Sequence, residues 1–61
     1  MKFQDHLGQQ WEIAKEWDCT YAVLKITDTH KLRLGKGYTS FEYAREVLTR
    51  LGGDKLVEIE S

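Results

Sequence analysis

The chain has 61 residues, 41% of them hydrophobic and 31% charged, with a formal net charge of −1 and no proline. This size excludes more than one ordinary domain, and the composition is typical of a globular chain rather than a disordered one. The near-neutral charge excludes a strongly basic chain, and no stretch reaches the roughly 20 apolar residues that span a bilayer. A single cysteine excludes a disulfide framework within the chain and suits a reducing compartment.

The first part of the chain predicts a short arm followed by a strand. Residues 1–9 carry no firm pattern, so we expect a flexible N-terminal arm. Residues 10–17 allow two interpretations. As a strand they place Trp11, Ile13 and Trp17 on one face, and as a helix they continue an apolar arc that begins before them. We favour the strand because the next segment needs a neighbour with which to pair.

Two further strands are predicted to form a hairpin. Residues 20–27 are rich in β-branched and aromatic side chains, and residues 31–34 alternate leucines with cations. Because side chains alternate along a strand, we expect Leu24 and Leu34 to share the core face. The opposite, exposed face is then expected to carry Tyr21, Lys25, Lys31 and Arg33.

One helix is predicted over residues 39–51. Thr39 and Glu42 fit a T-x-x-E capping box, and Tyr38 and Tyr43 are placed to act as a hydrophobic staple. An apolar stripe follows at helical spacing, and Gly52 and Gly53 are expected to end the helix with a left-handed cap. Before the helix, Gly35 and Gly37 are expected to release the chain from the sheet.

The last predicted element is a short strand over residues 55–60, with Val57 and Ile59 facing inward. The expected fold is therefore α+β: an antiparallel β-sheet in the order β-β-β-α-β, with one helix packed on one face, in a single domain over residues 1–61. The final strand is expected at a sheet edge, where it could also form a homodimer. Self-association would add stability to so small a core.

Residues 35–48 read G-K-G-Y-T-S-x-x-x-A-x-x-x-L. Together with the preceding strands from Trp11 onward, this segment resembles the strand-to-helix junction of small domains built from a three-stranded sheet and a helix. Those domains include the arm-type DNA-binding domains of tyrosine integrases, the ethylene-response type of plants, and small bacterial and phage domains of unknown function. The resemblance implies that the exposed face of the sheet meets DNA.

The candidate binding residues are a stripe of cations with nearby aromatic side chains. Lysine and arginine can contact phosphates, and tyrosine can stack on bases. The alternative is a solvated sheet face whose cations pair with glutamates on neighbouring strands. An exposed tryptophan, or Tyr43, would instead anchor a protein partner, while core packing is the alternative for both tryptophans. The candidates are Tyr21, Lys25, Lys31, Arg33, Lys36 and Tyr43.

Signals for catalysis or metal binding are weak. The glycines around Lys36 precede the helix but lack the spacing of a phosphate-binding loop. His6, His30 and Cys19 lack the short paired spacing of zinc ligands, and Cys19 has no predicted base beside it. We therefore expect no catalytic residue, no metal and no cofactor.

The composition and size favour a small non-enzymatic regulatory or inhibitory protein that binds another protein in the cytoplasm. Phage genomes encode many chains of this kind. The alternative is a nucleic-acid-binding module that uses the basic face of the β-hairpin. We expect no membrane partner.

Overall fold

Across residues 1–53 and 55–59, the computed structural model contains one antiparallel five-stranded sheet and one helix that packs across it. The strand order is β4-β3-β2-β1-β5. The predicted α+β class is confirmed, and the strand interpretation of residues 10–17 is confirmed as β2. The elements are β1 (Lys2–Gln4), β2 (Gln10–Lys15), β3 (Tyr21–Ile26), β4 (Lys31–Tyr38), α1 (Phe41–Gly52) and β5 (Val57–Ile59).

The N-terminal segment contributes a strand to the sheet, so the flexible arm predicted for residues 1–9 is wrong. β1 lies between β2 and β5, and its Phe3 is buried in the core. The terminal amino group of Met1 donates a hydrogen bond to the carbonyl of Ile13, and the amide of Ile13 donates to the carbonyl of Met1. A strand of three residues with one apolar side chain is too short to show alternation in the sequence.

The faces of β3 are opposite to those predicted. Ile13 pairs with Val23, and Val23 pairs with Leu34, so these three side chains share the face that α1 covers. Leu24 instead pairs with Arg33 on the other face, which we call the open face. β3 has apolar side chains on both faces, so its alternation could not indicate which face meets the helix.

β5 is an edge strand, as predicted, but its faces also differ from the prediction. Val57 pairs with Gln4, and Ile59 pairs with Lys2. Both apolar side chains therefore lie on the open face, where Val57 is 63% exposed. Glu60, which the prediction assigned to this strand, lies outside the described residues.

β4 continues past the glycines that were predicted to release the chain from the sheet. Its register with β3 shifts between Val23 and Tyr21, as in a β-bulge. Gly35 supplies the positive φ of 74° that this irregularity uses. Gly37 packs against Thr20, and a Cβ at this glycine would lie 2.8 Å from the Cβ of Thr20. The two glycines therefore bend the strand and let it continue to its eighth residue.

α1 begins one residue later than the predicted capping box. Its N-cap is Ser40, whose side-chain oxygen accepts a hydrogen bond from the amide of Tyr43 at 3.1 Å. Thr39 therefore precedes the cap, and Glu42 does not form a box with it. The expected contact between Tyr38 and Tyr43 is present, with ring centroids 5.3 Å apart and nearly perpendicular ring planes.

The core lies between α1 and the covered face of the sheet. α1 ends against β2, where the backbone of Gly52 leaves room for the indole of Trp11; a Cβ at Gly52 would lie 3.2 Å from Trp11 Nε1. The backbone N–H of Gly53 donates to Thr49 and closes the helix, as the glycine pair predicted. The buried cluster consists of Phe3, Trp11, Ile13, Val23, Ala44 and Leu48.

Candidate interaction surface

The predicted grouping of Tyr21, Lys25, Lys31 and Arg33 on one exposed face is wrong. Lys31 and Arg33 lie on the open face, whereas Tyr21 and Lys25 lie on the face that α1 covers. Lys25 pairs with Trp11, and its ammonium lies over the indole ring, 6.0 Å from the centroid. Tyr21 packs edge-on against an aromatic ring in the first turn of α1. The sheet therefore divides the predicted stripe into two pairs.

Lys31 and Arg33 form ion pairs with Glu12 of β2 and with Glu16, which directly follows β2. Lys31 Nζ lies 2.7 Å from Glu12 Oε1, and the guanidinium of Arg33 donates to Glu16 Oε2. Both cations reach across β3 to these glutamates, so their aliphatic stems pass over the open-face side chains of β3, including Leu24. The alternative of pairing between cations and glutamates across strands is confirmed for these two residues.

The charges of these ion pairs are unequally exposed. The side chains of Lys31 and Arg33 are 53% and 45% exposed, whereas those of Glu12 and Glu16 are 16% and 26% exposed. Lys36, in the bulge, is exposed as well, and β4 contains no acidic residue. The edge of the sheet that carries Lys31, Arg33 and Lys36, which we call the β4 border, therefore exposes mainly positive charge to solvent.

We infer a shallow apolar groove between α1 and β4 from the contacts of the two flanks of the helix. One flank of α1 faces β4, because Tyr43 packs against Tyr38. The other flank faces β1, because the guanidinium of Arg45 lies 4.7 Å from the centroid of the Phe3 ring. Residues four apart on a helix share a flank, so Val47 and Leu51 lie on the same flank as Tyr43. We call it the β4 groove and assign to it the apolar side chains on the covered face of β4 and on this flank of α1: Leu32, Leu34, Tyr43, Val47 and Leu51.

The β4 groove is open because α1 crosses the sheet obliquely. The helix begins beside Tyr38 of β4 and ends against Trp11 of β2, so it moves away from β4 along its length. Leu32, Tyr43 and Leu51 remain 46%, 47% and 50% exposed. Contiguous exposed apolar side chains of this kind mark binding surfaces.

The sequence indicated Tyr43 but not its neighbours in the groove. Leu32 and Leu51 fit the apolar periodicity of their elements, which assigned both to the core. Apolar periodicity shows which face of an element is apolar, but not how far a neighbouring element covers that face. The width of the apolar stripe on α1 could have indicated the groove, because the stripe is wider than the part of the helix that an oblique crossing of the sheet buries.

Trp17 is 95% exposed in the turn between β2 and β3, whereas Trp11 is buried, so core packing is confirmed for Trp11 and wrong for Trp17. Asp18 holds this turn, since its carboxylate accepts hydrogen bonds from the hydroxyl and the amide of Thr20. These hydrogen bonds lower the pKa of Asp18. Cys19 has a positive φ of 68°. An ordered turn therefore presents Trp17 to solvent.

Asp5 orders a second turn, between β1 and β2. Its Oδ1 accepts from the amides of Leu7 and Gln9 at 3.0 and 2.9 Å, and its Oδ2 accepts from the indole of Trp11 at 3.3 Å. Desolvation raises the pKa of Asp5, but the hydrogen bonds from Trp11, Gln9 and Leu7 together outweigh it, so the pKa is lowered. This turn ties the start of the sheet to the core.

A polar cleft of about 530 Å³ lies beside this turn. Its ionisable side chains are Lys25, whose ammonium lies over Trp11, and Asp28. Within residues 1–53 and 55–59, no group of three or more His, Cys, Asp or Glu side chains is placed to share a metal ion. No helix in that part of the chain is long and apolar enough to cross a membrane.

No protein-family model matches the chain, and no curated protein or solved structure was found to be similar to it. The candidate site therefore rests on the geometry of the β4 border, the β4 groove and the turn that carries Trp17.

Proposed function

We propose that this chain is a small non-enzymatic protein of the cytoplasm that binds another protein in a regulatory or inhibitory role. The observation that carries the proposal is the exposure of apolar side chains assigned to the β4 groove: Leu32, Tyr43 and Leu51 are about half exposed. Removing apolar surface from water is favourable by about 25 cal/mol per Å². A partner that covers the groove would gain this free energy on binding, because these apolar side chains are still in contact with water in the free chain.

Trp17 offers a second contact for the same partner or for another part of it. It lies at the end of the sheet where α1 begins, because Thr20 of the same turn packs against Gly37, just before the start of the helix. Tryptophan and tyrosine contribute more binding energy than most other residues when an interface buries them. A fully exposed tryptophan in an ordered turn adds nothing to the core, so binding is the role that fits it best.

A nucleic-acid-binding role is the alternative, favoured by the exposed cations Lys31, Arg33 and Lys36 of β4. It is also the role that the resemblance of residues 35–48 to integrase arm-type domains implies. Two of the three cations are held in ion pairs, and the chain has a net charge of −1. A phosphate backbone would also leave the exposed apolar side chains of the β4 groove uncovered, so we rank protein binding first.

The test is retention of proteins from a lysate of the source cell by the immobilised chain. We expect a partner protein to be retained by the wild-type chain and its binding to fall at least about tenfold with Leu51→Ser, which removes apolar surface from the groove. Val57→Ser is the matched control, because Val57 is exposed at the opposite edge of the sheet. Circular dichroism of both variants checks that the fold is kept.

A parallel measurement with random duplex DNA at low and high salt tests the alternative. Phosphate contacts predict binding that weakens steeply with salt and is lost in the double variant Lys31→Gln, Arg33→Gln. Salt-dependent DNA binding without a retained protein partner would overturn the proposed function, as would equal loss of the partner in Leu51→Ser and Val57→Ser.

A further inference from the structure

The outer edge of β4 is free to pair with an additional strand. β4 ends the strand order of the sheet, and among the described residues no other strand pairs with its outer side. It is eight residues long, whereas the other edge strand, β5, has three. The unpaired N–H and C=O groups of an edge strand can bind an extended peptide by forming main-chain hydrogen bonds. The long edge of β4 is therefore the better site for strand addition.

The two faces of β4 differ in chemistry, and an added strand would meet both. Side chains of such a strand point alternately to the two faces of the sheet. On the covered face they would lie beside Leu32 and Leu34 and enter the β4 groove. On the open face they would lie beside Lys31 and Arg33, whose charges are more exposed than those of their glutamate partners. Cross-strand neighbours are favourable when both are apolar or when they carry opposite charges.

We propose that β4 binds an extended segment of the partner protein in which apolar residues alternate with acidic residues. This inference rests on the protein-binding function proposed above and specifies its ligand. The apolar side chains fill the β4 groove, and the acidic side chains pair with Lys31 and Arg33. The bulge at Gly35 ends the regular part of β4, so pairing is strongest over residues 31–34. Lys36 extends the positive border beyond the bulge.

A second copy of this chain is a less suitable occupant. The chain has its own alternating segment, Val57-Glu58-Ile59, but this segment lies at the opposite edge of the sheet from β4. Joining β5 of one copy to β4 of the next is a head-to-tail contact, which extends into a chain of copies rather than closing as a dimer. The cations on the β4 border also repel a second β4 border placed against it.

The experiment uses two fluorescent peptides of the same length as β4, eight residues. One alternates valine with glutamate, and the other alternates valine with lysine. Fluorescence anisotropy with the full chain measures the two dissociation constants at low salt. We expect the valine–glutamate peptide to bind about tenfold tighter or more, because only its charges are opposite to those of Lys31 and Arg33. In the NMR spectrum of the chain, its binding is expected to shift the amide signals of β4 most strongly.

Three variants assign the binding to the two faces of β4. Leu51→Ser is expected to weaken binding of the valine–glutamate peptide several-fold, and Val57→Ser is expected to leave it unchanged. The double variant Lys31→Gln, Arg33→Gln is expected to reduce the difference between the two peptides to about twofold, since it removes the charges that discriminate between them. The amide spectrum of each variant shows whether the fold is kept.

Equal affinity for the two peptides would overturn strand addition at β4, as would amide shifts centred on β5 or on the turn that carries Trp17. A dimer that forms through the β4 edge and excludes the peptide, detected by light scattering, would overturn it in favour of a second copy.

Two further outcomes separate this inference from the proposed function. If Leu51→Ser does not weaken binding of the lysate partner and the two peptides bind equally, both strand addition at β4 and protein binding through the β4 groove are wrong. If the peptides are discriminated at β4 but no lysate protein is retained, the inference about β4 stands and the proposed function fails.

Discussion

Ser40, rather than Thr39, holds the first turn of α1, although both residues carry a hydroxyl that can cap a helix. Ser40 has φ −139° and ψ 155°, the extended conformation of an N-cap, and its oxygen faces the amide of Tyr43. The sequence could not choose between two adjacent capping residues, because the T-x-x-E pattern at Thr39 is as good a signal as the serine itself. The backbone conformation after β4 determines the cap, because it places Ser40 in the extended conformation of an N-cap.

Ser40→Ala is therefore expected to lower the free energy of unfolding by about 1 kcal/mol, because it removes the acceptor for the Tyr43 amide. Thr39→Ala, one residue earlier, is the matched control and is expected to change it by less than about 0.5 kcal/mol. Urea unfolding followed by circular dichroism measures both values. A larger loss for Thr39→Ala than for Ser40→Ala would show that the cap is Thr39.

Asp5 is expected to make the stability of the chain depend on pH in the acid range. Its pKa is lowered in the folded chain, so its stabilising effect is complete above the unfolded pKa of about 3.9 and is lost as the pH falls through the lower folded value. Asp5→Asn cannot ionise, so we expect the wild type to be the more stable of the two at pH 7 and the difference to shrink as the pH falls below about 4.

Thermal unfolding of wild type and Asp5→Asn over this pH range measures the difference. Asp28→Asn, in the exposed turn before β4, is the control and is expected to show no comparable gap at pH 7. A gap between wild type and Asp5→Asn that stays constant into acid would contradict the role of the ionised carboxylate.

Among the elements, positions along the chain were more predictable than faces. β2 alternates Trp11 and Ile13 with Gln10 and Glu12, so its covered face follows from the sequence once residues 10–17 are taken as a strand rather than a helix. β3 is apolar on both faces, and its orientation is decided only by its partners, Ile13 on one side and Leu34 on the other. β1 is too short for any pattern and is held by the strands on either side of it.

The candidate site was less predictable than the fold because it depends on distances between elements. Lys31 and Arg33 were identified from the sequence, but their partners are Glu12 of β2, which is not adjacent to β4, and Glu16 just after that strand. The exposure of Leu51 depends on the angle at which α1 crosses the sheet, which no local pattern encodes. Tyr43 was identified because it falls partly off the apolar stripe of the helix.

The oblique packing of α1 predicts different effects for two leucines of the same helix. Leu48 is fully buried against the sheet, so Leu48→Ala is expected to cost about 2–5 kcal/mol of unfolding free energy. Leu51 is half exposed beside the β4 groove, so Leu51→Ala is expected to cost less than about 1 kcal/mol. Both substitutions change helix propensity equally, and urea unfolding measures the two costs. Equal losses of unfolding free energy would show that α1 buries Leu51 as fully as Leu48.

On the scale of the whole molecule, the two edges of the sheet are managed differently. β5 is short, which limits the pairing that it can offer. β4 is long but carries Lys31, Arg33 and Lys36, which repel a second copy of the same edge. The same cations attract an acidic segment, so one set of side chains both discourages self-association and selects the proposed ligand.

The position of β1 between β2 and β5 has a consequence for synthesis on the ribosome. Of the described elements, β1 emerges before the others, and β5, its neighbour on one side, emerges after them. Phe3 can pair with β2 early, but the sheet gains its fifth strand only when nearly all of the described chain has left the exit tunnel. Contacts between such distant segments form late because they must close a long loop. A nascent chain halted within α1 would therefore present β1 as a bare edge, open to chaperones or to neighbouring nascent chains.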